Sequence, residues 1–131
     1  MTTQTQTQKI SIATCLWFNK NAEEAATFYA RTFPDSRVTR VLKSPTDYHN
    51  GKAGDVLTVE FTVLGQPFVG LNGGPECSFT QAVSFQVFTD TQEETDRYWN
   101  AIVKDGGQEM VQGQIWIELA DRAAGVDGGD Q

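Results

Sequence analysis

The chain has 131 residues, of which 39% are hydrophobic, and its 17 Asp and Glu outnumber 10 Lys and Arg to give a net charge of −7. This composition predicts one soluble globular domain, and the acidic balance argues against nucleic-acid binding, which needs a clustered basic surface. The sequence has no apolar stretch long enough to span a bilayer, and residues 1–9 lack the pattern of a signal peptide. We therefore expect a cytoplasmic protein with a disordered tail at 1–9 and no membrane partner.

The first half of the chain is predicted to form a strand, a helix and three further strands. Residues 10–18 are apolar and β-prone, and Asn21 with Glu24 has the spacing of a capping box before a helix that Pro34 ends. The three further strands are Arg37–Lys43, Val56–Leu64 and Pro67–Leu71, and the first two of them are rich in β-branched residues. The loop and the tight turn between them are Ser44–Gly54 and Gly65-Gln66.

The second half repeats the beginning of the first half at a constant offset of 70 residues. The block Phe18–Glu24 reads like Phe88–Glu94, and the aromatic doublet Phe28-Tyr29 is matched by Tyr98-Trp99. A repeat of this length indicates a duplicated half-domain rather than a solenoid. The repeat predicts a strand, a capped helix start and a helix end, at Gln81–Phe88, Thr91 with Glu94, and Gly106-Gly107.

The predicted organisation is therefore two modules with a tail on either side. The first module spans residues 10–72 and the second spans 73–120, with the Gly-rich stretch Asn72–Pro75 at their junction. After Glu109 the pattern weakens, and only the alternation around Ile115 suggests one more strand. Residues 121–131 are Gly-rich and acidic, which predicts a disordered tail.

Seven blocks of sequence between residues 15 and 87 carry a family resemblance. They are Cys15–Asn19, Asn21–Tyr29, Phe33–Arg37, Thr58–Phe61, Gly65–Phe68, Leu71–Pro75 and Ala82–Val87. These blocks resemble the PhnB-like branch of the vicinal-oxygen-chelate (glyoxalase/bleomycin-resistance) superfamily, whose members are often labelled 3-demethylubiquinone-9 3-methyltransferase. The resemblance implies an α+β fold in which paired βαβββ modules form curved mixed sheets around a cleft, often in a homodimer.

The sequence after Glu109 departs from the family pattern. Relatives usually end in a segment similar to C-K-D-R-F-G-L-S-W-Q-I-V-P, whereas residues 111–124 here read V-Q-G-Q-I-W-I-E-L-A-D-R-A-A. Codons can be chosen for residues 111–124 that encode the family ending when the reading frame is shifted by one base. The glycine of that ending does not depend on the choice, because Trp116 has a single codon, TGG, whose last two bases begin a glycine codon in the shifted frame. We therefore hypothesise a frame change at or near Glu109-Met110. The genomic DNA tests this hypothesis, because codons incompatible with the shifted frame would exclude it.

Six residues are candidates for binding a small-molecule ligand. They come from a strand end, a loop, the Gly-rich junction and one face of a predicted strand, where polar or aromatic side chains most often meet ligands. They are Trp17, His49, Asn72, Glu76, Ser84 and Gln86. In relatives a His commonly stands in the place of Glu76. A solvated loop histidine at His49 and a plain inter-module linker at the junction are the alternatives that stay open.

The metal ligands that the resemblance implies are poorly represented. Metal-using relatives hold a divalent ion with His, Glu or Gln from strands of both modules, where it polarises neighbouring substrate oxygens. Here Glu60 is the candidate ligand, but a Glu with a Gln and no imidazole is a weak set, and Glu60 facing solvent is the alternative. We expect no cofactor, with a divalent metal as the alternative. The cysteines, Cys15 and Cys77, are too few for a disulfide framework, and Cys15 is expected in the core.

The sequence assigns no catalytic residue and leaves the function open. One hypothesis is a module that binds a small molecule in the cleft without a well-formed metal site, and the alternative is a metal-dependent lyase, isomerase or dioxygenase-type enzyme of the same superfamily. The methyltransferase label of the relatives is disfavoured. Binding of S-adenosylmethionine in the usual way needs a Gly-rich turn between a strand and a helix of a larger α/β sheet, and the sequence has no such turn.

Overall fold

The computed structural model describes residues 10–80, 82–105, 108–110 and 114–116. The predicted tails at 1–9 and 121–131 lie outside the described residues. The elements, in chain order, are β1 (Thr14–Phe18), α1 (Ala22–Thr32), β2 (Arg37–Lys43), β3 (Val56–Val63), β4 (Gln66–Asn72), α2 (Gln92–Lys104), β5 (Gln108–Met110) and β6 (Gln114–Trp116). In the described helices no segment has the length and apolar character needed to cross a bilayer.

The first half of the chain forms a mixed four-stranded sheet with the order β1-β4-β3-β2. Strand β1 runs parallel to β4, and the β2–β3 and β3–β4 pairs are antiparallel. The sheet is curved and unclosed, and the predicted α+β fold with a first βαβββ module is confirmed. Strand β2 has the predicted bounds, and the β3–β4 turn lies at Leu64-Gly65, one residue before the predicted position, because both residues take positive φ angles of 51° and 79°.

The core lies between helix α1 and the sheet. The helix directs Ala22, Ala25 and Ala26, all fully buried, at Val59 and Phe61 of β3. Alanine side chains let the helix backbone approach the strands closely, so that the larger Val and Phe side chains fill the space between the layers. Burial of each of these larger side chains stabilises the fold by about 1.5–3 kcal/mol.

Alternation along the strands gives the sheet a second face that α1 does not cover. We define the open face by Cys15, Trp17, Thr58, Glu60, Val69 and Leu71, which occupy adjacent register positions on β1, β4 and β3. These residues are half-buried or exposed. The core position predicted for Cys15 is wrong, because the strand pleat directs this side chain to the open face, where it is exposed.

The two helices begin differently, although their sequences repeat. At α2 the Thr91 side chain accepts a hydrogen bond from the Glu94 N–H at 3.1 Å, so the predicted cap is confirmed. At α1 the Asn21 side chain makes no cap hydrogen bond, and that part of the prediction is wrong. The backbone N–H of Ala22 instead donates to Oδ1 of Asn72, at 3.0 Å, from the end of β4.

The strand predicted at Gln81–Phe88 is not formed over its described residues, 82–88. Val83, Phe85, Val87 and Phe88 keep 68%, 54%, 45% and 87% of their surface exposed. In the first module β1 is held by its parallel neighbour β4, whereas the described part of the second half provides only the short β5–β6 hairpin, whose strands pair with each other. An extended segment without a neighbouring strand has no partners for its backbone hydrogen bonds, so local β propensity alone does not make it a strand.

Replacing residues 111–124 with the family-like ending C-K-D-R-F-G-L-S-W-Q-I-V-P is expected to convert residues 82–88 into a strand. The family resemblance implies that this ending forms the last strand of the second module, which would give residues 82–88 a neighbour for their backbone hydrogen bonds. Amide hydrogen exchange should show new protection at residues 82–88 relative to the natural chain. A control in which the same replacement segment is scrambled should leave these amides as they were, and equal protection in both versions would contradict the hypothesis.

Candidate functional site

One group of residues gathers the end of β1, the loop after β2 and the junction after β4. We define the loop–linker cluster by Trp17, His49, Asn50, Gly73, Gly74 and Glu76. Three of the predicted ligand-binding residues, namely Trp17, His49 and Glu76, belong to it. These three come from segments that are well separated along the chain, so their proximity is a product of the fold.

The junction after β4 is fixed against the end of β1. The backbone N–H groups of Gly73 and Gly74 both donate to the Phe18 carbonyl, at 2.9 and 3.2 Å. The Trp17 indole N–H donates to the Gly74 carbonyl at 2.8 Å, so the half-buried ring has a fixed orientation at the rim of the open face. A side chain at residue 73 would meet this ring at 2.5 Å, which explains why the ring can lie there only against glycine.

The loop after β2 presents two side chains at the tip of a tight turn. Tyr48 and Gly51 form an antiparallel bridge, with N–H to carbonyl distances of 2.9 and 3.2 Å, and His49 and Asn50 lie between them. The loop base is closed by the Ser44 N–H, which donates to the Asp55 carbonyl at 2.8 Å. The turn thus projects His49 and Asn50 from an anchored loop.

Glu76 joins the turn to the junction. Its carboxylate accepts from Asn50 Nδ2 at 3.0 Å and 2.8 Å on its two oxygens, and His49 Nε2 lies 2.9 Å from Oε2. Asn50 Nδ2 also donates to the Gly73 carbonyl at 3.0 Å. The side chains of His49 and Glu76 are 84% and 46% exposed, so both groups are open to solvent and to a ligand.

The environment of Glu76 favours its charged form. The hydrogen bond from Asn50 is the largest cause of a lowered pKa, with further lowering by the backbone N–H of Glu76 and by His49. Partial burial acts in the opposite direction and does not overcome these contacts. The cluster therefore holds an anionic carboxylate at neutral pH.

The lowered pKa of Glu76 predicts a pH dependence of stability. Because the folded-state pKa lies below the ordinary value of 4.5, the contribution of Glu76 is complete above that pH and disappears as the pH falls through the lower folded value. The free energy of unfolding of the Glu76→Gln variant should therefore approach that of the natural chain on acidification below pH 4.5. Urea denaturation across this range measures the difference. A difference that does not change with pH would contradict the assignment.

Asn72 lies beside the cluster but uses its amide inside the fold. Its side chain is buried, with Oδ1 accepting from Ala22 N–H at 3.0 Å and Nδ2 donating to the Val56 carbonyl at 2.9 Å. These two contacts tie the end of β4 to the starts of α1 and β3. The ligand-binding role of Asn72 stays a prediction, and its observed contacts are those of a structural connection.

Ser84 and Gln86 lie outside the loop–linker cluster. Both are exposed on the segment 82–88. Between them, Phe85 packs its ring edge against Phe68 of β4, with 5.3 Å between ring centroids. Their ligand-binding role also stays a prediction.

Comparison with known proteins identifies the family of the chain. A family model described as 3-demethylubiquinone-9 3-methyltransferase matches residues 10–122. The chain belongs to this family. None of the curated proteins compared with the chain matches it.

Two solved structures are similar to the chain. The first is from Bacillus cereus, is provisionally described as a 3-demethylubiquinone-9 3-methyltransferase, PhnB protein, and is 32% identical over 75% of this chain and 76% of its own, with a TM-score of 0.64. The second is a protein from Staphylococcus aureus that is 26% identical over 76% of each chain, with a TM-score of 0.38. The first structure and the family model confirm the PhnB-like branch.

The divalent metal that the family resemblance implies does not fit the described residues. Glu60 lies on the open face between Arg40 and Val69, which are its register partners on the neighbouring strands. A metal site needs several donor atoms around the ion, whereas Arg40 is cationic and Val69 has no side-chain donor atom. Within the described part of the chain, no three His, Cys, Asp or Glu residues lie close enough together to hold an ion. The expectation of no cofactor stays a prediction.

Asn50 makes three of the contacts that hold the cluster together, but it is not among the residues predicted from the sequence. The signal for it was weak, since Asn50-Gly51 in a loop predicts only a turn. Its role depends on the junction folding back onto the loop, which no local pattern encodes.

Proposed function

We propose that the protein binds a small organic cation at the rim of the open face, without a metal ion and without a cofactor. The observation that carries the proposal is the Glu76 carboxylate, which Asn50 and His49 hold close to Gly74, the residue whose carbonyl accepts the Trp17 indole N–H. A carboxylate and an indole ring are a suitable pair for a cation, because the carboxylate attracts the charge and the ring face attracts it through its quadrupole. The net charge of −7 would also raise the local concentration of cations around the protein.

His49 is the group that a ligand would replace. It lies at the tip of the turn, it is the more exposed partner of Glu76, and the carboxylate has lone pairs for several donors. A ligand ammonium that takes the place of the imidazole would put a positive charge against the Glu76 carboxylate. Asn50 would keep the carboxylate in position throughout, since it also donates to the Gly73 carbonyl.

The remaining parts of the proposal concern assembly and location. We infer a homodimer, in which a second copy covers the exposed apolar side chains of residues 82–88, and a cytoplasmic location. Because the described residues do not form a fitting metal site, binding without turnover is preferred to a metal-dependent lyase, isomerase or dioxygenase-type reaction. The methyltransferase activity named by the family description gains no support from the β1–α1 connection, Asn19–Asn21, which contains no glycine.

Titration calorimetry with benzylamine and benzyl alcohol tests the proposal. Benzylamine should bind and its neutral analogue should not, because the Glu76 carboxylate recognises the charge. Glu76→Gln should weaken benzylamine binding about three- to tenfold, whereas Glu93→Gln, which removes an equal charge from the exposed start of α2, should have no effect. Equal binding of the alcohol, or equal losses in both variants, would refute the proposal.

Metal analysis tests the choice between binding and metal-assisted chemistry. Protein purified without chelators should contain less than a stoichiometric amount of any divalent ion. A stoichiometric ion that is lost in a Glu60→Gln variant would overturn the metal-free proposal and favour the enzyme.

A further inference from the structure

A second concave region lies between the two helices, apart from the loop–linker cluster. It is a groove of about 470 Å³ between the last turns of α1 and the second half of α2. We call it the helix groove and define it by its lining residues, Phe28, Arg31, Thr32, Arg97, Tyr98, Ala101, Lys104 and Asp105. Its volume is in the range of pockets that hold small organic molecules.

The helix groove combines aromatic rings with guanidinium groups. The Arg31 guanidinium lies over the Phe28 ring, 5.4 Å from its centroid, and the Arg97 guanidinium lies over the Tyr98 ring at 5.3 Å. Tyr98 is in turn held against Phe33, with 4.8 Å between ring centroids. The stacked pairs come from different helices, so the groove has a planar cation on each side.

The groove is positive although the protein as a whole is acidic. Arg31, Arg97 and Lys104 face a single carboxylate, that of Asp105, and none of these three cations forms an ion pair with another described residue. The two helix C-termini contribute about half a negative charge each, which still leaves a net positive charge of about one. Neutralisation of the helix ends explains Arg31 and Lys104, which lie in last turns, but it does not explain Arg97 in the middle of α2.

We propose that the helix groove is a binding site for planar aromatic carboxylates. The aromatic part of such a ligand stacks on the guanidinium planes, and its carboxylate pairs with Arg97 and Lys104. Arginine suits this role because its planar group both stacks on rings and forms paired hydrogen bonds with a carboxylate. The helix groove shares no residue with the loop–linker cluster, so this proposal does not depend on the proposed function.

Titration of the labelled protein with 1-naphthoate, followed by NMR, tests the proposal. Backbone signals of residues 28–32 and 97–105 should move and saturate, and the neutral 1-naphthamide should bind at least about fivefold more weakly. Arg97→Gln and Lys104→Gln should each weaken naphthoate binding about two- to fivefold. Arg37→Gln, which removes the same charge from exposed β2, is the matched control and should have no effect.

Measurements on the natural chain keep the test independent of how the variants fold. Naphthoate affinity should fall as salt is raised, because the contacts are between charges near the surface. Inorganic phosphate should displace naphthoate poorly, since it cannot stack. Equal binding of naphthoate and naphthamide, affinity that is insensitive to salt, or signal changes confined to other residues would each overturn the proposal.

Discussion

Asn72→Ala should lower the free energy of unfolding by about 2–4 kcal/mol. The buried amide of Asn72 is the partner of two backbone groups from different elements, the Ala22 N–H and the Val56 carbonyl. Truncation leaves both groups without their partner in a place with little access for water, and each such loss costs about 1–3 kcal/mol. Equilibrium urea denaturation measures the change.

A matched control separates this effect from a general loss of an asparagine. Asn19→Ala alters an exposed residue of the β1–α1 connection and should change stability by less than about 0.5 kcal/mol. Hydrogen exchange should also locate the damage, with faster exchange at the Ala22 amide in the Asn72 variant. A stability loss for Asn72→Ala no larger than that of the control would show that the amide does not connect the three elements.

Gly74→Ala should cost at least about 2 kcal/mol, and clearly more than Gly54→Ala. Both glycines have positive φ angles, 111° and 91°, so both substitutions strain the backbone by about 1 kcal/mol or more. They differ in their surroundings. A side chain at residue 74 would meet Asn50 Nδ2 at 2.2 Å, whereas one at residue 54 would have nothing within 4 Å.

The comparison of the two variants isolates the packing of the loop–linker cluster from backbone strain. In Gly74→Ala, Asn50 must move away, which also breaks its contacts with Glu76 and with the Gly73 carbonyl. Thermal or urea denaturation gives the two losses on one scale. Equal losses would mean that the loop and the junction are not held together at Gly74.

The sequence predicts the first module well because its signals are local. Alternation and β-branched residues define β2 and β3, and Pro34 predicts the end of α1, which lies at Thr32. Thr91 is a further case, since a cap depends on residues within one turn of a helix.

The errors occur where a residue depends on a distant partner. Asn21 has the spacing of a cap, but the first free N–H of α1 finds its acceptor 50 residues later, at Asn72. The segment 82–88 has strand propensity and lies where the repeat places a copy of β1. A strand also requires a neighbouring strand, which the sequence of the segment does not supply. The candidate site is predictable in the same partial way. Local patterns select His49 and Glu76 separately, whereas their contact depends on the folded junction.

The indole N–H signal of Trp17 provides the most direct test of the central claim, that the loop and the junction form one binding position at Glu76, close to the Gly74 residue that holds this ring. The proton is held by the Gly74 carbonyl, and a Trp17→Phe variant assigns its NMR signal among those of the three tryptophans. On titration with benzylamine the signal should shift and saturate in the natural chain, and it should stay in place in Glu76→Gln. A signal that does not shift with benzylamine in the natural chain, or that shifts equally in both proteins, would contradict the claim.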